Sequence, residues 1–348
     1  MWFGDFDERL GRDPGCRNQK HYCAERRRER LGFAVTIRMV FVRRCVGDDD
    51  AAPDDDGIEN VRERFRRVRD ERVRMAENSG GKFRRAQNDV HHSEAASPPV
   101  LERAGARATI RLNRPRHVNR LQPEDLDVLM RLFAEIEADS ALRVLVLTGT
   151  GRAFSAGYDL GSLAERAAAP QEQTAGSAFE VVVNRLEDLG VPTICRLNGG
   201  VYGGATDLAL ACDFRIGTEA CEMFMPAALR GLHYYTSGIK RYVSRLGVDN
   251  AKKLFLTAEK IDAAEMLRIG YLTALVAPDT LDSEVDRLAT LLAGNAPIAM
   301  RGMKRTINEF ARDALDEAAS DARARDSMHG EEIKEGITAF AEKRPPRF

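Results

Sequence analysis

One carboxylate, Asp207, stands in an otherwise apolar helical stretch, VYGGATDLALACD, that spans residues 201–213 and carries the pair Gly203-Gly204. Burying an unpaired carboxylate costs several kcal/mol, so an acid at this place needs a reason. In the first turn of a helix, the positive dipole end and the free backbone N–H groups favour its charge. Asp207 is therefore a candidate proton acceptor. The alternative is an acid that only satisfies those N–H groups.

A second candidate stretch is AFSAGYDL, residues 153–160. Its small residues Ser155, Ala156 and Gly157 allow the backbone to approach a ligand closely, and a turn there can direct an amide outward. If this amide and that of Gly204 converge, they form an oxyanion hole, in which each donor contributes about 3–4 kcal/mol to the transition state. Taken singly, each stretch is more often an ordinary turn.

The stretch GTGRAF, residues 149–154, invites a dinucleotide-binding interpretation because it follows a predicted strand. The fingerprint GxGxxG needs a third glycine, and Phe154 stands at that position. The sequence therefore argues against a nicotinamide-dependent oxidoreductase.

Composition excludes several classes of function. The 348 residues are 43% hydrophobic with a formal net charge of -1, which argues against nucleic acid or a membrane surface as the main partner. The six cysteines form no CxxC pair and no zinc-like spacing, so we expect reduced thiols, no metal site and a cytoplasmic location. The apolar stretch LGFAVTIRMVFV carries Arg38 and, at about 12 residues, is too short to span a bilayer.

Residues 1–98 differ from the rest of the chain. They contain the charge blocks ERRRER, DDDAAPDDD and VRERFRRVRDERVR, which are typical of a solvated, disordered extension. An arginine-rich RNA-binding arm is one alternative, and a translation start near Met75 is another. We expect residues 99–348 to carry the function, with a core to about residue 275 and a helical region over about 276–348.

The elements that must position the two candidate stretches follow from periodicity. RATIRLNRP reads as a strand, and Pro123 begins a helix with Leu126, Leu129, Phe133 and Ile136 on one face. The apolar runs LRVLVLTG, VPTICRLNG and DFRIG read as strands that alternate with helices at Ala178–Leu189 and in GGATDLALAC. Two longer amphipathic helices are predicted from Leu281 to about Arg325. The pattern predicts an α/β core.

From about Ala108 to Phe348 the chain resembles the enoyl-CoA hydratase/isomerase (crotonase) superfamily. The matching stretches are LNRPRHVNRL (112–121), AFSAGYDL, VPTICRLNGGVYGGATDLALACD and the closing KEGITAFAEKRPPRF. The resemblance implies a ClpP/crotonase-like spiral of ββα units. It also implies a C-terminal helical region that forms a homotrimer, or a dimer of trimers.

The resemblance also implies the roles of particular residues. The amides of Tyr158 and Gly204 would hold an acyl-CoA thioester oxygen and stabilise an enolate, and Asp207 falls where hydratases carry their first catalytic glutamate. The residues expected to line the substrate and CoA channel are Ala156, Gly157, Tyr158, Asp159, Leu160, Gly161 and Arg116. Arg114 is an alternative to Arg116 for the CoA phosphates, and both have a plain interpretation as solvated arginines.

One departure from the family pattern is important. Ala227 follows Pro226 where hydratases place a second glutamate, and alanine cannot transfer a proton. The segment offers His233 and Tyr234 instead, with a spacing similar to that of decarboxylases of the superfamily. A tyrosine can orient a carboxylate and a histidine can shuttle a proton, although an aromatic loop packed at a subunit contact is an alternative.

These observations predict an acyl-CoA enzyme of the hydratase/isomerase type that acts through an enolate and needs no separate cofactor. Asp207 acting alone, or with Tyr234 and His233, fits isomerisation, decarboxylation or hydrolysis better than hydration. A non-catalytic member that binds acyl-CoA or RNA is the alternative from another class.

Overall fold

The computed structural model describes residues 97–159, 161 and 178–348. Almost all of the charged extension predicted over residues 1–98 lies outside the described residues. The strands are β1 (Val100–Ala104), β2 (Arg107–Leu112), β3 (Val144–Gly149), β4 (Ala153–Ser155), β5 (Thr193–Arg196), β6 (Gly200–Tyr202), β7 (Phe214–Thr218), β8 (Glu222–Phe224), β9 (Ile261–Asp262) and β10 (Ala274–Val276). The α-helices are α1 (Pro123–Ala138), α2 (Ala178–Glu187), α3 (Gly204–Ala211), α4 (Thr236–Leu246), α5 (Val248–Lys252), α6 (Ala263–Arg268), α7 (Leu281–Ala293), α8 (Pro297–Ala311), α9 (Glu317–His329) and α10 (Glu331–Glu342).

The strands form two sheets, one with the order β1-β2-β3-β5-β7-β10 and one with the order β4-β6-β8-β9. Neighbours are parallel except for the pairs β1–β2 and β8–β9. From β3 to β8 the chain gives strands alternately to the first and the second sheet, and a helix follows β4, β6 and β8. This repeat is the ββα arrangement that the family resemblance implies.

Strand β3 shows why LRVLVLTG is continuously apolar. Val144 and Val146 pack against α7 in a small cluster with Leu281, whereas Leu145 and the other inward-facing residue of β3 belong to the main core. Successive side chains of a strand point to opposite faces, and here both faces are covered. The predicted buried strand is confirmed.

Helix α1 begins at Pro123, as predicted. The Asp125 side chain accepts a hydrogen bond from the Gln122 backbone N–H at 2.9 Å, which closes a capping box at the first turn. The buried side chains of the predicted face are Leu126, Leu129, Phe133 and Ile136.

The C-terminal region contains more helices than predicted. Between Leu281 and Arg325 the chain forms α7, α8 and most of α9, where two helices were expected. Pro297 starts α8 because a proline ring fits the first turn but not a helix interior. Asp316 then caps α9 by accepting a hydrogen bond from the Ala319 N–H at 3.0 Å. The expectation of two helices is wrong because these start signals divide the apolar pattern.

The described residues contain neither a membrane-spanning helix nor a cluster of metal-ligating side chains. No helix there is long and apolar enough to cross a membrane. No group of three or more His, Cys, Asp and Glu side chains in those ranges lies close enough together to hold a metal ion.

Candidate active site

The loop after β4 lies against the N-terminus of α3. Gly157 has φ +86, and a Cβ built on it would lie 2.6 Å from the Tyr202 carbonyl oxygen and 2.8 Å from the Gly204 nitrogen. Both facts require glycine, because other residues rarely adopt this φ and real Cβ atoms do not come so close. The two stretches singled out in the sequence therefore meet.

Backbone pairing sets the direction of the Tyr158 amide. The Leu121 N–H donates to the Gly157 oxygen and the Asp159 N–H donates to the Leu121 oxygen, both at 2.9 Å. Successive backbone amides of an extended segment point to opposite sides, so the Tyr158 N–H points away from Leu121. The N–H of Gly204 belongs to the first turn of α3, where amides have no acceptor within the helix.

Asp207 lies one turn into α3 and is fully buried. Its Oδ1 accepts a hydrogen bond from Arg241 Nη1 at 2.7 Å. Its Oδ2 accepts one from the Tyr234 hydroxyl at 3.3 Å and another from the Tyr235 hydroxyl. All three partners are donors, so the site holds Asp207 as a hydrogen-bonded carboxylate.

Gly238 makes this arrangement possible. A Cβ at this position would lie 2.5 Å from Cε1 of Tyr234 and 2.9 Å from Oδ2 of Asp207. Because neither the ring nor the buried carboxylate can move aside easily, the first turns of α3 and α4 can approach each other only with glycine here.

Arg241 links Asp207 to a larger group of buried charges. Its Nε lies 3.0 Å from Oε1 of Glu187, which also pairs with Arg245 Nη2 at 3.0 Å and with Arg312 Nη1 at 3.6 Å. Burial lowers the pKa of Arg241, but attraction to Asp207 and Glu187 outweighs it and the pKa is raised. For Glu187, burial acts to raise the pKa, but attraction to the three arginines outweighs burial, and the pKa is lowered.

The C-terminal end of α3 is held by two guanidinium groups. Arg215 Nη1 donates to the Cys212 oxygen at 2.6 Å, and Arg245 Nη1 donates to the same oxygen at 2.7 Å. Burial lowers the pKa of Arg215 to about 10. Cations at this end complement the helix dipole, so the helix that carries Gly204 and Asp207 is fixed at both ends.

The two tyrosines beside Asp207 are stacked, with ring centroids 4.3 Å apart. Burial, followed by the charge of Asp207, raises the pKa of both Tyr234 and Tyr235. Both hydroxyls therefore stay protonated at neutral pH and can only donate to the carboxylate.

Phe179 joins the tyrosines to the oxyanion amides. Its ring centroid lies 5.9 Å from that of Tyr158 and 6.5 Å from that of Tyr235, and its Cζ would lie 2.9 Å from a Cβ on Gly204. Tyr235, Tyr158 and the start of α3 thus surround one aromatic ring.

The structure does not bring all of the predicted residues together. His233 is exposed, and its Nδ1 lies 2.8 Å from the Tyr234 backbone oxygen rather than near Asp207. Arg116 is exposed and has no ion pair among the described residues. Arg114 is held by Asp125, with Nε to Oδ2 at 2.8 Å, so it does not serve as a free phosphate ligand.

The predicted CoA-lining segment is described only in part. Asp159 Oδ1 pairs with Arg120 Nη1 at 2.8 Å. Gly161 is exposed, and Ala156 lies at the loop where its oxygen would be 3.6 Å from a Cβ on Gly203. Leu160 lies outside the described residues.

No carboxylate occupies the position of the second glutamate. Ala227 is buried in the main core. Glu222, the nearest acid before it in the sequence, accepts a hydrogen bond from the Tyr202 hydroxyl at 2.7 Å and one from Lys260 at 2.9 Å. Burial and then this contact raise the pKa of Tyr202 to about 12. Neither of these partners contacts Asp207, whose hydrogen-bond donors are Arg241, Tyr234 and Tyr235.

Sequence reasoning missed the roles of Tyr235 and Arg241 at this site. The sequence assigned no site role to Tyr235, whose aromatic loop could equally pack at a subunit contact, and it did not single out Arg241. A signal was present for Arg241, because Ser237, Arg241 and Arg245 recur at the spacing of one helix face opposite Glu180, Asn184 and Glu187.

Comparisons with known proteins identify the family of this chain. Residues 102–348 match the family model for enoyl-CoA hydratase/isomerase. A short-chain-enoyl-CoA hydratase of Clostridium acetobutylicum is 33% identical over 252 residues, covering 70% of this chain and 95% of the relative. A crotonyl-CoA hydratase of Syntrophomonas wolfei is 31% identical over 252 residues, with 72% and 96% covered.

Solved structures give the same result for the fold. The crystal structure of an enoyl-CoA hydratase from Bacillus anthracis superposes with a TM-score of 0.65 and 30% sequence identity, covering 72% of this chain and 99% of that chain. The predicted crotonase fold with its C-terminal helical region is thereby confirmed. By the family match, the shared fold and the meeting of its two amide-bearing stretches, the chain belongs to the enoyl-CoA hydratase/isomerase family of the crotonase superfamily.

Proposed function

We propose that this protein binds an acyl-CoA thioester with its carbonyl oxygen between the N–H groups of Tyr158 and Gly204, and stabilises the enolate that forms there. The observation that carries the proposal is the contact of the Gly157 backbone with the Gly204 nitrogen, which sets the two amide-bearing segments side by side. Fixed amides directed at a developing oxyanion are effective because they need no reorganisation during the reaction. CoA enters as part of the substrate, and the proposal requires no separate cofactor.

A substitution at Gly157 tests the oxyanion hole. Gly157→Ala forces a methyl group toward the Gly204 nitrogen, and we expect kcat to fall about 10²–10³-fold, as when one oxyanion donor is lost. Gly105→Ala is the matched control, since Gly105 also has a positive φ of +57 but no atom within 4 Å of its Cβ position. Equal losses in the two variants would contradict the assignment, because backbone strain alone would then explain both.

The reaction type is tested with three kinds of thioester. Purified full-length protein is incubated with crotonyl-CoA, a 3-enoyl-CoA and a malonyl-type CoA ester, to detect hydration, isomerisation and decarboxylation respectively. We expect poor hydration, because the position of the second acid is Ala227. Ala227→Glu should raise hydration relative to wild type, and a folded variant without any gain would contradict that alignment.

Decarboxylation is a second candidate that one observation favours. Asp207 is fully buried, and its contacts among the described residues are all hydrogen-bond donors, so it is poorly placed to take a proton directly from a substrate carbon. Loss of CO2 from a malonyl-type thioester needs no base: the C–C bond breaks and its electron pair enters the enolate. A wild-type rate on the malonyl-type ester above that on the 3-enoyl-CoA would select this reaction.

We also propose that the C-terminal helices form a homotrimer, which two such trimers would extend to a hexamer. Large apolar side chains of α8 and α10 are exposed, including Phe310 at 73% and Phe340 at 87%, and a second copy would cover them. The alternative of an RNA-binding arm is tested separately. Deleting residues 1–95 should leave catalysis intact, whereas a salt-sensitive affinity for RNA that disappears with the deletion would support the alternative.

A further inference from the structure

Asp207 exposes no surface that could contact a substrate directly. It is fully buried. Within the described ranges its oxygens contact Arg241 on one side and the two tyrosine hydroxyls on the other. Any proton that reaches this carboxylate must therefore pass through one of the hydroxyls.

The two tyrosines differ in where they lie. Tyr234 is only 7% exposed, and its ring is enclosed between those of Tyr235 and Phe255, at 4.3 and 5.3 Å between centroids. Tyr235 is half-buried, and its ring faces Phe179, which also contacts Tyr158. Tyr235 is therefore the tyrosine on the side of the oxyanion amides.

We propose that Tyr235 is the residue that exchanges a proton with the substrate, relaying it to and from Asp207, which does not touch the substrate itself. This inference rests on the proposed enolate chemistry and names the residue that performs its proton transfer.

The relay moves two protons in each direction. The substrate C–H bond breaks and its proton joins a lone pair of the Tyr235 oxygen, while the original Tyr235 proton moves to Oδ2 of Asp207. The electron pair of the C–H bond becomes the enolate, whose charge lies on the thioester oxygen. In the return direction Asp207 gives its proton to Tyr235, and Tyr235 protonates the enolate carbon.

Two electrostatic features favour a relay over a lasting tyrosinate. Burial and the charge of Asp207 raise the pKa of Tyr235, so a phenolate is disfavoured. In the relay Tyr235 is neutral before and after each transfer.

Single and double variants test the relay on the 3-enoyl-CoA of the panel, because its isomerisation breaks an α C–H bond. Tyr235→Phe should lower kcat about 100-fold or more, with KM changed less than about threefold. Asp207→Asn should lose a similar amount, and the double variant should lose no more than the worse single variant, since both residues act in one step. Tyr234→Phe, which removes a hydroxyl from the same carboxylate oxygen, should lose less than about tenfold.

The outcomes separate the relay from a structural role. Unfolding midpoints near that of wild type would show that each variant is folded. If Tyr235→Phe keeps at least a third of the wild-type kcat, if Tyr234→Phe loses more than Tyr235→Phe, or if the double variant loses the product of the two single losses, the relay is overturned.

A binding measurement separates failure of the relay from failure of the proposed function. Acetoacetyl-CoA has an acidic α-carbon between two carbonyls, and the ultraviolet absorbance of its enolate reports the proton lost from this carbon. Wild type should bind it with a change in enolate absorbance that Tyr235→Phe abolishes while binding persists. If wild type neither binds this thioester nor turns over any of the panel, the proposed function fails and the relay with it; an unchanged signal in the variant overturns the relay alone.

Discussion

The buried surroundings of α3 and the surface of the C-terminal helices differ in how completely contacts within the chain satisfy their side chains. Around α3, Asp207, Arg241 and Glu187 are almost fully buried, and each has ionic partners within the same chain. On α8 and α10, Phe310 and Phe340 are large apolar side chains left mostly in contact with solvent. A single chain thus provides the interactions that hold Asp207, whereas its C-terminal region exposes apolar side chains that the proposed trimer would cover.

The largest effect on this contrast is expected from breaking the buried ion pairs. Glu187→Gln leaves Arg241, Arg245 and Arg312 without their shared anion, and breaking a buried ion pair costs about 3–5 kcal/mol. We expect a loss of that size in the free energy of unfolding measured by urea denaturation. Glu284→Gln, which breaks the surface ion pair of Glu284 with the exposed Arg287, is the control and should leave the denaturation midpoint unchanged. If the two variants had similar denaturation midpoints, the buried ion pairs would contribute no more to stability than the surface pair.

The next test is directed at the exposed surface. Phe310→Glu places a charge in the proposed contact and should convert a species of about three times 38.7 kDa into one of 38.7 kDa in light scattering after size exclusion. Leu256→Glu is the matched control, because Leu256 is 72% exposed but lies outside the C-terminal helices. A wild-type protein that elutes as a monomer would contradict the trimer directly.

Acid should weaken the buried ion pairs around Glu187. The pKa of Glu187 is lowered in the folded protein below its ordinary value of 4.5. The stability it contributes is therefore complete above about pH 4.5 and is lost as the pH falls toward the folded pKa, by at most about 1.4 kcal/mol for each pH unit. Urea midpoints measured between pH 6 and pH 3 should fall less steeply in Glu187→Gln than in wild type. Parallel curves would show that this residue does not drive the acid response.

The smallest expected effect concerns a hydrogen bond that joins the two regions. Asn308 of α8 is buried and donates from Nδ2 to the Glu187 backbone oxygen at 2.9 Å. Asn308→Ala should reduce the free energy of unfolding by about 1 kcal/mol and leave kcat within twofold of wild type. A large fall in kcat would mean that α8 influences the site more strongly than this one bond indicates.

Local patterns predicted the fold well where one element contains its own signal. Pro123 and the apolar face of α1 fixed that helix, and the apolar run of β3 predicted a strand covered on both sides. Strands β4, β6 and β8 have three residues each, too few to show an alternation, and they were not predicted. The division of the C-terminal region into α7, α8 and α9 was not predicted, because the apolar pattern continues across the helix-start residues Pro297 and Asp316.

The site residues also divide into those that a local pattern predicted and those that it did not. Gly157, Gly204 and Asp207 were found because each lies in a short stretch with an unusual composition. Arg241 and Tyr235 owe their importance to contacts 34 and 28 residues distant in the sequence. No periodicity within one helix shows which carboxylate a buried arginine will meet, so this part of the site required three-dimensional structure.

The buried ion pairs also impose an order on folding. Glu187, Asp207, Arg241 and Arg312 come from α2, α3, α4 and the end of α8, so the charge balance spans 125 residues of chain. During synthesis the two acids emerge first, and they have no cationic partner from this group until Arg241 and then Arg312 leave the ribosome. Contacts so distant in sequence form slowly because loop closure precedes their benefit. The ion pairs around α3 can therefore be complete only after Arg312 has been synthesised.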